Sequence, residues 1–211
     1  MLVLAGCGGS TPPVAQSGRR LSGEAALEDD DVPRFVLEGV TLPEPPASVD
    51  ADDPALEPVL HQARELLSRP LPVAEADMPA ADVGRYVEGR LAGWMNATAQ
   101  GIRALWEAMQ NLGTRVLAAH VVARTITGAT LVALAERLEA MPLPTSVRDD
   151  ASLSSAMRSA LDNASRPMRE RAVQAFGACA STAVGSADPT LDEWRVHCDA
   201  ESERARGDRG E

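Results

Sequence analysis

Residues 83–112, VGRYVEGRLAGWMNATAQGIRALWEAMQNL, place apolar side chains at Val83, Tyr86, Val87, Leu91, Trp94, Met95, Ile102, Leu105, Trp106, Met109 and Leu112. Steps of three and four residues gather such side chains onto one face of an α-helix, because each residue advances about 100° around the axis. The stretch therefore reads as one long amphipathic helix, opened by Pro79 or Asp82 and closed near Gly113.

The same period extends in both directions. Upstream, Leu56, Val59, Leu60, Ala63, Leu66 and Leu67 repeat it, with Asp53 as cap, Pro54 at the first helical position and Pro70 as stop. Downstream, Val116, Leu117, His120, Val121, Ala123, Leu131, Leu134, Ala135 and Leu138 lead to Pro142, with Gly128 and the β-branched residues between Thr125 and Thr130 expected to bend the helix midway. Three further helices are expected: one from Ala151 to Ala164, one opened by Pro167 through Ala172, Val173, Phe176 and Cys179, and one opened by Pro189 through Leu191, Trp194 and Cys198. Asp149 or Asp150 and Asp188 are placed to cap them. The sum is an all-α domain over residues 54–205, an irregular helical bundle or a short helical-hairpin array of about six helices, with a frayed tail at 206–211. Pro70-Leu71-Pro72 and Pro142-Leu143-Pro144 each follow a helix and precede another, a faint internal repetition.

Composition agrees. Aromatic residues make up only 3% of the chain, so the core is built from Ala, Leu and Val, as in packed helices. The 211 residues carry a net charge of −11, and all 20 basic residues are arginine. That balance argues against nucleic acid as a partner and would repel anionic lipid headgroups.

Residues 7–53 are different in kind. Glu28-Asp29-Asp30-Asp31 and Pro43-Glu44-Pro45-Pro46 interrupt a Gly-, Ser- and Pro-rich segment without apolar period, which reads as a disordered acidic tether. Only Phe35-Val36-Leu37-Glu38-Gly39-Val40 has strand-like character, and it reads as a locally extended segment packed on the helices.

At the amino terminus, Leu4-Ala5-Gly6-Cys7 ends an apolar run and precedes Gly8-Gly9-Ser10-Thr11-Pro12. This resembles the lipobox of bacterial lipoproteins, at which a thiol accepts diacylglycerol and small residues before it admit the signal peptidase. The resemblance implies a lipid on Cys7 and an anchored, not membrane-spanning, protein. Only six residues precede Cys7, so residues 1–6 read as the remnant of a longer signal peptide, with Met1 inside its hydrophobic region. Gly8 stands where lipoprotein families place an Asp to signal inner-membrane retention, which leaves the outer membrane, facing the periplasm or the cell surface, as the expected destination.

With Cys7 lipidated, Cys179 and Cys198 remain. They lie on two helices joined by a short turn, and in an exported domain they are expected to form a disulfide, closing a loop that contributes about 3 kcal/mol in the chain-entropy picture. Phe176-x-x-Cys179 followed by Trp194-x-x-x-Cys198 resembles the closing helical pair of tetratricopeptide-like exported proteins. That likeness covers about 35 residues and implies a helical protein-interaction role with no catalytic residue.

Catalytic signatures are missing from the chain. It contains no His-Glu-x-x-His, no Gly-x-Ser-x-Gly, no phosphate-cradling loop and, lacking lysine, no Ser-x-x-Lys. His61, His120 and His197 are far apart; His120 sits among apolar neighbours, and His197 diverges from Cys198 by about 100° on a helix, which argues against a shared metal. Trp94, Trp106, Met95 and Met109 read as core, with a ligand groove as the alternative. Asn96-Ala97-Thr98, Asn163-Ala164-Ser165 and Arg206-Gly207-Asp208 match short motifs that carry little here. The expectation is a lipid-anchored, non-enzymatic envelope protein with an interaction or scaffolding role, a protein partner, and neither cofactor nor metal. The two alternatives are a lipoprotein binding a small apolar ligand between the second and third helices, and a hydrolase using scattered carboxylates and His120.

Overall fold

The computed structural model describes residues 37–40, 42, 43, 46, 48, 49, 53–113, 116–184, 186 and 188–207. They build an all-α fold with no strand among them: α1 (Glu57–Ser68), α2 (Ala80–Tyr86), a π-turn (Val87–Leu91), α3 (Ala92–Gln110), α4 (Leu117–Glu139), α5 (Thr145–Arg148), α6 (Ala151–Ala183) and α7 (Pro189–Gly207). Residues 1–36, including Cys7 and its flanks, lie outside the described residues, as do 208–211.

The helix expected over 83–112 is present, with a π-turn in its first half. Tyr86 and Leu91 are both buried yet five residues apart, which in a regular helix would set them roughly 140° from each other. The wider π-turn absorbs the extra residue and returns both to the core side.

At the centre stands α4, buried on nearly every side and packed against α1, α3, α6 and α7. By length and composition it is apolar enough to cross a membrane, but most of it is enclosed by the other helices, as in the core helix of a globular domain. The segment expected to bend midway is one continuous helix. Thr125, Thr127 and Thr130 return their hydroxyls to the carbonyls of Val121, Ala123 and Ile126 at 2.8–2.9 Å, so three buried polar groups are satisfied without breaking the ladder. Gly128 lets α6 approach: a Cβ there would meet three ring atoms of the fully buried Phe176 at 2.8–2.9 Å. Replacing Gly128 by Ala gains about 1 kcal/mol of helix propensity but overpacks a ring with no room to move, at about 1–3 kcal/mol. Net destabilisation of up to about 2 kcal/mol is expected in urea unfolding, and a raised midpoint would contradict this packing.

Two expected helices prove to be one. Pro167 lies inside α6, which runs unbroken for 33 residues. Proline removes one hydrogen bond, to the carbonyl of Asn163, but both residues are exposed, so that carbonyl reaches water. On the opposite face Leu161, Ser165, Met168, Arg169 and Ala172 are buried, and their packing holds the helix through the defect. Asp150 caps α6 as expected, accepting from the amides of Ser152 and Leu153 at 2.9 and 3.0 Å. Asp188 does the same for α7, accepting from the amide and hydroxyl of Thr190; these bonds hold its carboxyl below the usual range. Asp53, by contrast, caps a turn that precedes α1, accepting from Ala55 N, and the helix itself begins at Glu57 with Pro58 in its first turn. The final helix continues past Cys198 to Gly207.

Leu37, within the segment expected to pack on the helices, is buried in the core, and so are Leu42 and Val49, which fall in the stretch expected to be a disordered tether. Leu37 to Val40 form a tight turn, with Gly39 at φ +74° and Val40 N bonded to Leu37 O at 3.0 Å, and not a strand. Isolated apolar residues in a Pro- and acid-rich stretch lack a period, so nothing local announces that they dock. The two Pro-Leu-Pro loops meet in space: Thr145 N bonds Ala76 O at 2.8 Å, Ser146 Oγ bonds Met78 O at 2.6 Å, and the buried Tyr86 hydroxyl reaches Pro72 O at 2.7 Å.

Candidate functional sites

Cys179 on α6 and Cys198 on α7 form a disulfide, with Sγ–Sγ 2.10 Å and Cα–Cα 6.2 Å, and both are fully buried. The hydroxyl of Thr125 on α4 stands 3.3 Å from Cys179 Sγ and 3.1 Å from Cys198 Sγ. The bridge thus sits where α4, α6 and α7 meet. Sequence reading found the pair by parity but not Thr125, whose approach depends on how the helices pack.

A second polar centre joins α4 to α6. Glu139 accepts from Arg169 Nε at 2.9 Å and Arg169 Nη2 at 2.5 Å, and from Ser165 Oγ at 2.6 Å. Arg169 is 7% exposed. Its hydrogen bond holds the Glu139 carboxyl below the usual range, against the opposing effect of burial, with Ser165 adding to it. At the other end of the same helix pair, Arg124 reaches Ala178 O at 3.0 Å and the Thr182 hydroxyl. These contacts fix α4 and α6 as antiparallel and are structural in kind.

The three histidines do not converge. His61 is exposed on α1, and His120 Nε2 lies 2.9 Å from the carbonyl of Gly113, tying the start of α4 to the end of the preceding helix. Among the described residues no group of three His, Cys, Asp or Glu side chains is placed to hold a metal ion. His197 on α7 is half-buried, and its enclosed Nε2 has no hydrogen-bond partner among the described residues. Burial pushes its pKa below 6.5, opposed by Glu201 and assisted by Arg204. Because the folded value is lowered, the neutral ring's contribution is present above about pH 6.5 and is lost as pH falls through the folded value. Wild type is therefore expected to lose more stability between pH 7 and 5 than His197→Leu, as followed by thermal unfolding. Parallel pH profiles would show that the ring is solvated in the folded state.

The tryptophans also part company. Trp94 and Met109 are buried in the core, whereas Trp106 is half-buried and opens onto a cleft of about 450 Å³ between α3 and α6. Arg103, Glu107 and Gln110 line it from α3, and Arg171 and Gln174 from α6. The groove considered on sequence grounds, with both tryptophans and both methionines in one wall, is not what forms.

No family model, curated protein or solved structure matches this chain.

Proposed function

We propose that this chain is a bacterial lipoprotein, held to the cell envelope by a lipid on Cys7, whose helical domain has a non-catalytic interaction or scaffolding role. The observation that carries the reading is the buried Cys179–Cys198 disulfide. A bridge of this kind belongs to an oxidising compartment, and of the three cysteines Cys7 is the one outside that bridge, at the position where the lipobox resemblance needs it. Acyl chains contribute about 0.8 kcal/mol per buried methylene, so two or three of them make a stable anchor.

An interaction role draws support from the surface. Val116 and Leu117 at the start of α4 are 59% and 43% exposed, and Val184 just past the end of α6 is 67% exposed. Because α4 and α6 run antiparallel, these ends lie at the same pole of the domain, where a protein partner would cover them. The proposed location is the outer membrane, facing the periplasm or the cell surface.

Fractionation of cells expressing the protein from its own locus, beside a Cys7→Ser variant, tests the anchor. Wild type should sediment with membranes and the variant should not. If both remain in the soluble fraction, the lipoprotein reading fails.

A further inference from the structure

We propose that the cleft between α3 and α6 is a binding site for a carboxylated saccharide of one or two units. The first observation is electrostatic. The chain carries an excess of acid, and most of its described arginines are committed: Arg64, Arg69, Arg85, Arg195 and Arg204 to carboxylates at the surface, Arg169 to Glu139 in the interior, and Arg124, Arg137, Arg148, Arg158 and Arg166 to carbonyl, hydroxyl or amide oxygens. Arg90, Arg103, Arg171 and Arg206 have neither a hydrogen bond nor an ion pair among the described residues, and of these Arg103 and Arg171 reach the same cleft from two different helices. Glu107 lies in that cleft as well, one turn from Arg103, and pairs with neither.

The second observation is the wall between them. Trp106 is the tryptophan left half-exposed, Trp94 and Trp194 being buried, and it lines the cleft. An indole offers an apolar face on which a flat ligand can stack and an N–H at its edge. The third is the chemistry of the remaining lining. Two guanidiniums, two carboxamides (Gln110 and Gln174) and one carboxylate are all planar groups with two hydrogen-bonding atoms side by side. That geometry matches the adjacent hydroxyls of a pyranose, while its C–H face matches the indole. Two positive charges against one negative leave a single net positive charge, which suits one carboxylate better than a doubly charged phosphate. A cleft of about 450 Å³ admits one or two sugar rings.

The arrangement is assembled by the fold. Ala99, Arg103, Trp106 and Gln110 follow one another at helical spacing beside the buried stripe of α3, and Ala99 leaves the floor open. Arg171 and Gln174 come from α6, which runs past Pro167 without a break and so carries them into place. This inference does not depend on the lipid anchor.

Calorimetric titration of the full chain with the disaccharide glucuronate-β-1,3-N-acetylglucosamine, beside its carboxyl-reduced form and adenosine monophosphate, tests it. The acidic disaccharide should bind with a Kd below about 1 mM and change tryptophan emission, a change that Trp106→Phe abolishes. Arg103→Gln and Arg171→Gln should each weaken binding by about tenfold or more. Both arginines are exposed, so each variant should keep the wild-type unfolding midpoint, which separates a lost ligand contact from a lost fold. The carboxyl-reduced sugar should bind at least about tenfold more weakly than the acidic one. Absence of heat and emission change up to about 10 mM, equal binding of the reduced sugar, wild-type affinity in both arginine variants, or tighter binding of the nucleotide would each overturn the assignment.

Discussion

Replacing Cys179 and Cys198 together by Ala should lower the stability of the helical domain by about 3–4 kcal/mol, most of it through the unfolded chain. The two cysteines are 19 residues apart, and freeing a loop of that size returns about 3 kcal/mol of chain entropy to the unfolded state. The rest comes from the sulfurs themselves, which are fully buried and leave a gap where α4, α6 and α7 meet. Thr125 softens the loss, since its hydroxyl also bonds Val121 O at 2.9 Å and is not orphaned. Denaturant unfolding of the variant and of the oxidised wild type reads the difference directly. A loss below about 1 kcal/mol would mean that α7 is held by packing alone.

The second large effect concerns Arg169. Truncation to Ala leaves the Glu139 carboxylate with Ser165 as its remaining side-chain partner in a partly enclosed site, at a cost of about 1–3 kcal/mol near neutral pH. Glu139 is held below its usual range chiefly by Arg169, so its contribution is present above about pH 4.5 and is lost as pH falls through the folded value. The gap between wild type and Arg169→Ala should therefore narrow in acid. Replacing both partners at once, Glu139→Leu with Arg169→Met, should cost less than the single truncation, because no half-buried charge is left unpaired. Equal losses for the single and double variants would show that the side chains matter for their volume and not for their charge.

The limits of sequence reading follow from what is local and what is not. Apolar period located α1, the long α2–α3 helix, α4 and α7, because each presents a repeating face to the core. It failed at Pro167, where tertiary packing on the buried side overrides a local breaker, and at α5, a single turn too short for any period. Leu42 and Val49 were missed because docking of scattered apolar residues is decided by the surface that receives them. The disulfide was legible from parity and placement. The α3–α6 cleft was half legible: Arg103, Trp106 and Gln110 form a stripe on one helix, but nothing in the sequence brings Arg171 and Gln174 opposite them.

Cys7 is proposed to carry lipid, and Cys179 and Cys198 carry a disulfide. Intact-mass spectrometry of the protein purified from its own host, before and after reduction, reads both at once. The expected result is an amino terminus at Cys7 with acyl mass added to it, and a gain of two hydrogens on reduction. An unacylated Cys7, still preceded by residues 1–6, in a protein whose mass does not change on reduction would contradict it.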